Sequence, residues 1–375
     1  MFGFLILLAT LVLSAQSLAQ VPATMVEQMS TADHLKQPGW WPLKSDVSRS
    51  EYVGAQVCAE CHQTLVKGQN EHSMAHTSML PTQSALLGRG DAEYKSGPYQ
   101  YKIYEQDSRV YYSVTKGNET FSTPLLWAFG SGSVGQSYLF EREGLLYEAR
   151  MSFLHGLGFD LTPGHPKAVP ESSQAALGRP IPADEQVKCF GCHTVASNAG
   201  EHFDPAQAMT GISCEGCHGP GASHVAMAKS GVEMPAMLFN PARLTPPQSV
   251  DFCGACHRAW WDVANVTDIH AIRFPTLRLE QSRCWGNGDP RLVCATCHDP
   301  HQPLVHELTA YDGKCLSCHR SGSPATASVQ HMAAACSVAT KDCVSCHMPK
   351  YEITGMKLTF TDHKIRVVKG KSFQN

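Results

Sequence analysis

One five-residue motif, in which two cysteines separated by two residues are followed at once by histidine, occurs seven times in the 375-residue chain. The seven copies use fourteen of the sixteen cysteines, namely Cys58 and Cys61, Cys189 and Cys192, Cys214 and Cys217, Cys253 and Cys256, Cys294 and Cys297, Cys315 and Cys318, and Cys343 and Cys346. The histidines that close the copies are His62, His193, His218, His257, His298, His319 and His347. We number the copies motif 1 to motif 7 in chain order.

This spacing indicates covalent haem attachment. Two thiols at this separation reach the two vinyl groups of one haem and form thioethers, and the next histidine supplies the proximal ligand of the iron. Zinc sites and redox-active disulfides also use paired cysteines, but neither requires a histidine after every second cysteine. We therefore expect seven covalently attached haem c groups.

The first residues indicate the compartment. Residues 1–19 read as a cleaved secretory signal peptide, since their apolar stretch is too short to cross a hydrocarbon core of ~30 Å. No lysine or arginine precedes that stretch, so an uncleaved N-terminal anchor stays open as an alternative. No later segment has the length and apolarity of a membrane span, and we expect no transmembrane segment in the mature chain. Haem attachment outside the cytoplasm agrees with a periplasmic or secreted protein.

Charge composition bears on the partners. The formal net charge is −3, so the chain has no basic excess to bind the phosphate backbone of a nucleic acid. The propionates of seven haems would make the oxidised holoprotein more acidic. An acidic surface favours docking to basic patches on other redox proteins, an electron donor and an acceptor. The sequence does not predict an oligomeric state.

The uneven spacing of the motifs suggests the fold. Six motifs crowd residues 189–347, which leaves too little chain for a conventional layered core, so we expect the haems themselves to form the core. The predicted fold class is a multihaem c-type cytochrome, mainly short α-helices and loops wrapped around stacked haems, with a small antiparallel β module inserted after the first haem motif. One helix is expected over residues 255–266 and another begins at residues 224–229.

The long gap after motif 1 has the pattern of strands. Residues 99–104 alternate with period two, residues 110–114 precede a turn at 116–119, and residues 134–140 and 145–151 flank a second turn. The predicted divisions are a first haem segment at 50–97, two hairpins as a β module at 98–153, a linker rich in proline and glycine at 154–188, a six-haem domain at 189–350 and a tail at 351–375.

Twelve further histidines could supply the sixth iron ligand, enough for every haem to be bis-histidine ligated. His224 and His301 follow motifs 3 and 5 closely, on the proximal side of those haems, so each is placed to reach a neighbouring haem. His331, between motifs 6 and 7, and His363, in the tail, are further candidates. Weaker candidates are His72, His76 and His270, and Met74 and Met79 are read as packing residues rather than ligands. The remaining Cys284 and Cys336 form a disulfide in the simplest reading, with a thiolate ligand as the alternative.

Several segments resemble the cytochrome c554 family of multihaem cytochromes, in particular members often fused to tetratricopeptide repeats. The resembling segments are residues 52–62, 214–224, 294–301, 343–350 and 360–363, and the likeness extends over residues 50–368. The resemblance implies that His224, His301 and His363 are distal ligands on neighbouring haems. It also implies that parallel and perpendicular haem pairs alternate. No C-x-x-C-K motif marks a lysine-ligated catalytic haem like that of the related pentahaem nitrite reductases.

Two functions follow from these observations. The first is electron transfer between redox partners by a periplasmic or secreted heptahaem cytochrome, with the haems as redox centres. The alternative is a multihaem oxidoreductase in which one open-coordination haem acts on a small nitrogen or sulfur species. That haem would be the isolated first one or one bordering the β module, and catalytic residues remain unassigned. A haem-based sensor or a filament subunit is a third reading.

Overall fold

A computed structural model describes residues 47–84, 92–199, 202–231, 238–263, 265–286, 291–319, 336–353, 358–368 and 373. The predicted signal peptide and His331 lie outside these residues. Twelve α-helices are seen in the described part, with bounds α1 Ala55–Glu71, α2 Ser173–Leu177, α3 Ala183–His193, α4 Glu215–His218, α5 Ala222–Ser230, α6 Pro246–His257, α7 Trp260–Val263, α8 Pro275–Glu280, α9 Arg283–Gly286, α10 Cys294–Cys297, α11 Asp312–His319 and α12 Cys343–His347.

The strands form one large antiparallel sheet and three two-stranded pairs. The bounds are β1 Ser78–Met79, β2 Ala92–Ser96, β3 Tyr99–Gln106, β4 Arg109–Lys116, β5 Glu119–Phe129, β6 Gly135–Arg142, β7 Leu145–Ala149, β8 Met151–Leu154, β9 Gly158–Leu161, β10 Gly178–Pro180, β11 Thr194–Val195, β12 Asn198–Ala199, β13 His202–Phe203, β14 Met209–Thr210, β15 Lys350–Ile353 and β16 Leu358–Thr361. The large sheet has the order β10-β7-β6-β5-β4-β3-β2. In addition, β1 pairs with β5, and β8 pairs with β6 and β9.

Alternation along the strands builds the core of this sheet. Tyr99, Tyr101 and Ile103 of β3 are buried, whereas the residues between them face outwards. Tyr112 and Val114 of β4 continue the same buried face. Large aromatic side chains fill the space because a period of two places every second residue on one side of a sheet. The result is one aromatic cluster that spans the sheet from β2 to β8, with α2 packed against it.

The β module is larger than the sequence predicts. The predicted turns at 116–119 and 141–144 are correct, but the sheet includes ten strands rather than two hairpins. Strand β5 lacks regular alternation and contains Pro124, which removes the usual signal for a strand. The predicted linker 154–188 contributes β9, α2 and β10, and its prolines and glycines lie partly in the connections and partly within these short strands.

Each described motif occupies a helical turn. Helices α3, α4, α6, α11 and α12 end at the histidine of their motif, and α10 spans the two cysteines of motif 5. In motif 1 the chain continues as one helix but is kinked at His62. A helix brings residues three apart onto the same face, so the two thiols of every motif lie side by side.

The helix predictions are correct in one case and wrong in the other. Helix α5 coincides with the helix predicted to begin at residues 224–229. The helix predicted over 255–266 is instead divided, since α6 ends at His257 and α7 begins at Trp260. Arg258 has a φ of 64° and breaks the helix, which periodicity alone does not reveal.

Candidate haem-binding sites

The thiols of different motifs meet in pairs. Side-chain contacts join Cys58 to Cys214, Cys192 to Cys256, Cys253 to Cys294, and Cys315 to Cys343. Electrostatic interactions link motif 3 to motif 4 through Cys217 and Cys253, and motif 5 to motif 6 through Cys297 and Cys315. The motifs therefore follow one another in space as 1, 3, 4, 5, 6 and 7, with motif 2 beside motif 4.

Three histidine pairs are the second feature of the site. The ring centroids of His62 and His224 lie 6.4 Å apart. Those of His218 and His301 are separated by 6.1 Å, and those of His298 and His363 by 6.3 Å. Two imidazoles that bind one metal ion from opposite sides, through bonds of about 2 Å, have ring centroids about 6 Å apart. The spacing of all three pairs therefore fits a haem iron between the rings.

Backbone carbonyls fix the orientation of several of these rings. The Nδ1–H group of His193 donates to Thr77 O at 2.8 Å, and that of His218 to Phe239 O at 2.9 Å. His347 donates to Arg366 O at 2.8 Å, and His363 to Thr361 O at 3.1 Å. A proton on Nδ1 leaves the lone pair on Nε2, which is the arrangement of a metal-binding histidine with a supporting partner.

Burial keeps the deeper rings neutral. Loss of hydration lowers the pKa of His193, His257 and His298 below the ordinary value for histidine. The effect is largest at His363, whose pKa falls to about 4 because the ring is buried. Near neutral pH these rings carry no proton on the coordinating nitrogen, as an iron ligand requires.

Glu215, inside motif 3, holds motif 1 in place. Its buried carboxylate accepts hydrogen bonds from Val53 N at 2.9 Å and Gly54 N at 2.8 Å, where α1 begins. It also accepts one from Gly221 N at 2.8 Å, on the segment that leads to His224. One side chain thus fixes motif 1, motif 3 and the paired His224 relative to one another.

Asp312 has the same role for motifs 6 and 7. It lies at the start of α11 and accepts hydrogen bonds from Asp342 N at 2.8 Å and Cys343 N at 2.9 Å, where α12 begins. These hydrogen bonds lower the pKa of Asp312. A carboxylate at a helix N-terminus satisfies amides that lack a partner within the helix.

Motif 2 is attached to the β module by aromatic packing. Phe129 of β5 lies with its ring 5.1 Å from the His193 ring and 5.0 Å from Phe190. Trp127 and Phe203 complete this cluster, which includes Cys189 at its edge. On the other side, the hydroxyls of Thr77 and Ser78 donate to His193 O. This contact could not be predicted from the sequence, since Phe129 lies sixty residues before motif 2 in a strand without alternation.

Among the weaker candidates, His72 interacts electrostatically with His257 of motif 4 and with His298 of motif 5. Its Nδ1 accepts the Met74 N–H, and His76 donates from Nε2 to Asn70 O. His270 lies half-exposed beside Asp268. Met74 packs with Tyr52 and Ile212, and Met79 against the core of the sheet, in agreement with a packing role. No disulfide joins Cys284 to Cys336 in the structure.

Glu215, Asp312 and Phe129 are functional residues that motif reasoning missed. The glycines that follow Glu215 are the feature of the sequence that could have indicated its role. Gly219 has a φ of 81°, and a Cβ at Gly221 would lie 3.1 Å from the Glu215 carboxylate. Such a turn requires glycine and points to a close backbone approach.

Attachment motifs on helical turns, with histidine rings paired across neighbouring motifs, define a c-type cytochrome, to which haem c binds covalently. Residues 165–219, which contain motifs 2 and 3, match the sequence model of the family described as cytochrome c554 and c-prime. This match confirms the resemblance seen in the motifs, and the chain is similar to multihaem cytochromes of the cytochrome c554 type.

Other comparisons add less. Among solved structures, the outer cell wall cytochrome OcwA aligns with 55% of this chain and 37% of its own, with 17% sequence identity and a TM-score of 0.31. The chain thus spans little more than a third of that protein. No curated protein matches the sequence significantly. Across the described residues, no helix combines the length and the apolar composition needed to cross a bilayer.

Proposed function

We propose that this protein is a heptahaem cytochrome that transfers electrons between redox partners outside the cytoplasm. Haem c, when bound, supplies the reversible one-electron chemistry of the iron. The fourteen motif cysteines hold the seven groups, and the seven motif histidines supply the proximal ligands. The observation that carries the proposal is the set of three histidine pairs, each at the spacing of two axial ligands.

The paired histidines follow a regular pattern, which supports their assignment as distal ligands. His224 follows motif 3 and meets motif 1, His301 follows motif 5 and meets motif 3, and His363 follows motif 7 and meets motif 5. Each ligand thereby ties its own segment to an earlier one. His331 remains the proposed distal ligand of a further haem, on sequence grounds alone.

The protein's part in electron transfer is to keep the redox groups close and their surroundings fixed. The contacts and the electrostatic interactions between thiols together link neighbouring motifs in a continuous series, which supports a series of close haems. Glu215 and Asp312 hold neighbouring motifs through backbone amides, so the spacing does not depend on exposed loops. Because the buried histidines are neutral, one ring nitrogen of each keeps a lone pair that can bind the iron.

The cellular location and the partners of the protein are proposed from its sequence. The signal peptide and the covalent attachment of haem support a periplasmic or secreted location. The acidic charge of the holoprotein favours partners with a basic docking surface, and such encounters slow as salt screens the charges.

One observation favours the alternative, an oxidoreductase with an open haem that acts on a small nitrogen or sulfur species. In the described part of the chain no second histidine ring pairs with His193, whose ring packs against that of Phe129. Motif 2 is also the motif that borders the β module. Motif 1, the other candidate, has His224 opposite His62, so the alternative is best placed at motif 2.

The mass of the purified mature holoprotein, together with its response to carbon monoxide, tests both proposals. The electron-transfer proposal requires seven covalent haems and a ferrous spectrum unchanged by carbon monoxide. A spectral shift equivalent to one haem would favour the oxidoreductase. Fewer than seven haems would disprove the count.

A further inference from the structure

Arg150, which lies between β7 and β8 and away from the motifs, is a buried cation without an ionic partner. Its side chain is 5% exposed, and guanidinium remains charged at any physiological pH. Its Nη2 group donates to Pro166 O at 2.6 Å and Ala168 O at 2.9 Å, both neutral carbonyls. None of the carboxylates in the described ranges forms an ion pair with it.

Several donors around this cation also lack partners. Within the described part of the chain, Arg150 Nε and the hydroxyls of Tyr101 and Tyr112 are buried, and none of them has a hydrogen bond of good geometry. Burial raises the pKa of both tyrosines. The charge of Arg150 opposes that rise, as do the polar contacts of Tyr101 with its side chain and of Tyr112 with its backbone. Both hydroxyls therefore stay protonated and can donate. A buried polar group left without a partner destabilises the folded state, so a native protein normally satisfies such groups.

The same place is covered by a strap, residues 163–170, which is rich in proline and glycine. The strap is held by Arg150 and by the Tyr99 hydroxyl, which donates to Pro170 O at 3.1 Å. All of these bonds end on backbone carbonyls of the strap. The three donors therefore lie between the sheet and the strap.

We propose that Arg150, Tyr101 and Tyr112 form a binding site for a small inorganic oxyanion inside the β module. Such a ligand offers only acceptor oxygens and a negative charge, which match one guanidinium N–H and two hydroxyl donors. It would neutralise the buried cation and satisfy all three donors at once. Neutral water would satisfy the donors but leave the charge uncompensated.

Two conservative variants and a matched control test the site. Tyr101→Phe and Tyr112→Phe each remove one donor without changing the packing. Tyr138→Phe removes a third buried hydroxyl that also has no partner among the described residues but shows no interaction with Arg150. Binding is measured on the holoprotein, from the rise in unfolding temperature with added nitrate or sulfate at constant ionic strength in chloride.

The wild type and Tyr138→Phe should be stabilised by nitrate or sulfate beyond chloride, with the same apparent affinity. Loss of one donor to a charged ligand should weaken that affinity by about tenfold or more in the Tyr101 and Tyr112 variants. Crystals soaked in selenate should show anomalous density beside Arg150 Nε. No oxyanion-specific stabilisation, equal weakening in all three variants, or only water at Arg150 in the soaked crystals would overturn the proposal.

Discussion

Individual carboxylates hold the haem-binding segments together. Glu215 accepts three backbone amides from two segments while completely buried, and nothing else in the described structure offers these amides an acceptor. Removal of this acceptor would leave buried donors without partners, which is more costly than the loss of an exposed contact.

We therefore expect Glu215→Ala to lower the free energy of unfolding of the holoprotein by about 3 kcal/mol. Urea titration followed by far-UV circular dichroism measures this change. Glu60→Ala is the matched control, because Glu60 forms only an exposed ion pair with Lys229 at 2.9 Å and should change stability by less than about 1 kcal/mol. Equal losses in the two variants would refute the role given to Glu215.

Two buried carboxyls give the protein a predictable dependence on pH. Burial raises the pKa of Asp251 to about 7, and burial together with the charge of Asp251 raises the pKa of Glu280 to about 7. In the unfolded chain both titrate near 4, so between pH 4 and pH 7 the folded state holds more protons. Their contribution to stability is complete below pH 4 and is lost as the pH rises through 7.

Asp251→Asn should accordingly flatten the fall in unfolding free energy between pH 4 and pH 7. The measurement is a series of urea titrations across that range. Asp184→Asn, at an exposed position on α3, serves as the control and should keep the slope of the wild type. An unchanged slope in Asp251→Asn would show that this carboxyl is ionised in the fold throughout the range.

At the scale of elements, the β module supports motif 2 through strand β5. Phe129 packs on the His193 ring and on Phe190 of α3, so the strand and the helix share one aromatic cluster. Truncation of a buried phenylalanine leaves a cavity and costs about 3–5 kcal/mol. This loss of stability should first affect helix α3, which packs in the cluster.

Phe129→Ala should therefore increase amide hydrogen exchange in α3, residues 183–193, before it affects α11 or α12. Exchange followed by mass spectrometry of peptides measures this effect. Phe121→Ala changes the same residue type on the same strand at a side chain that is 41% exposed, and should leave α3 protected. Similar exchange in both variants would mean that β5 does not support motif 2.

Some of the structural elements could be predicted from the sequence, and others could not. The seven motifs could be read directly, because covalent attachment requires a fixed local spacing. Strand β3 could be predicted from period two, and strands β4, β6 and β7 from the turns beside them. Strand β5 and the elements within 154–188 could not, because Pro124 and the proline-rich segment carry the signals of turns. Arg258 interrupts a helical pattern because its φ is positive, and the residue type does not predict such a conformation.

Contacts between distant segments could not be predicted from the sequence. His224, His301 and His363 stood out because they follow motifs or a recognisable tail, and the structure brings each close to a motif histidine. Which motif each one meets depends on the path of the chain, which no local spacing encodes. The same holds for Glu215 and Asp312, whose partners are backbone amides that any residue provides.

The whole molecule is organised by these crossed pairs. Three of the seven motifs receive a histidine from a segment that follows a later motif, and the thiol contacts place the motifs in the order 1, 3, 4, 5, 6 and 7, with motif 2 at motif 4. A chain arranged in this way resists separation of its parts, because removal of one segment would take a paired histidine away from another.

The central claim is that His224, His301 and His363 are the distal ligands of the haems at motifs 1, 3 and 5. The most direct test is the ferric electron paramagnetic resonance spectrum of the holoprotein and of the single alanine variants of these histidines, with His155→Ala, at an exposed position, as the control. Each of the three variants should gain a high-spin signal equivalent to one haem, and His155→Ala should gain none. No added high-spin signal in these variants, with all haems retained, would contradict the account.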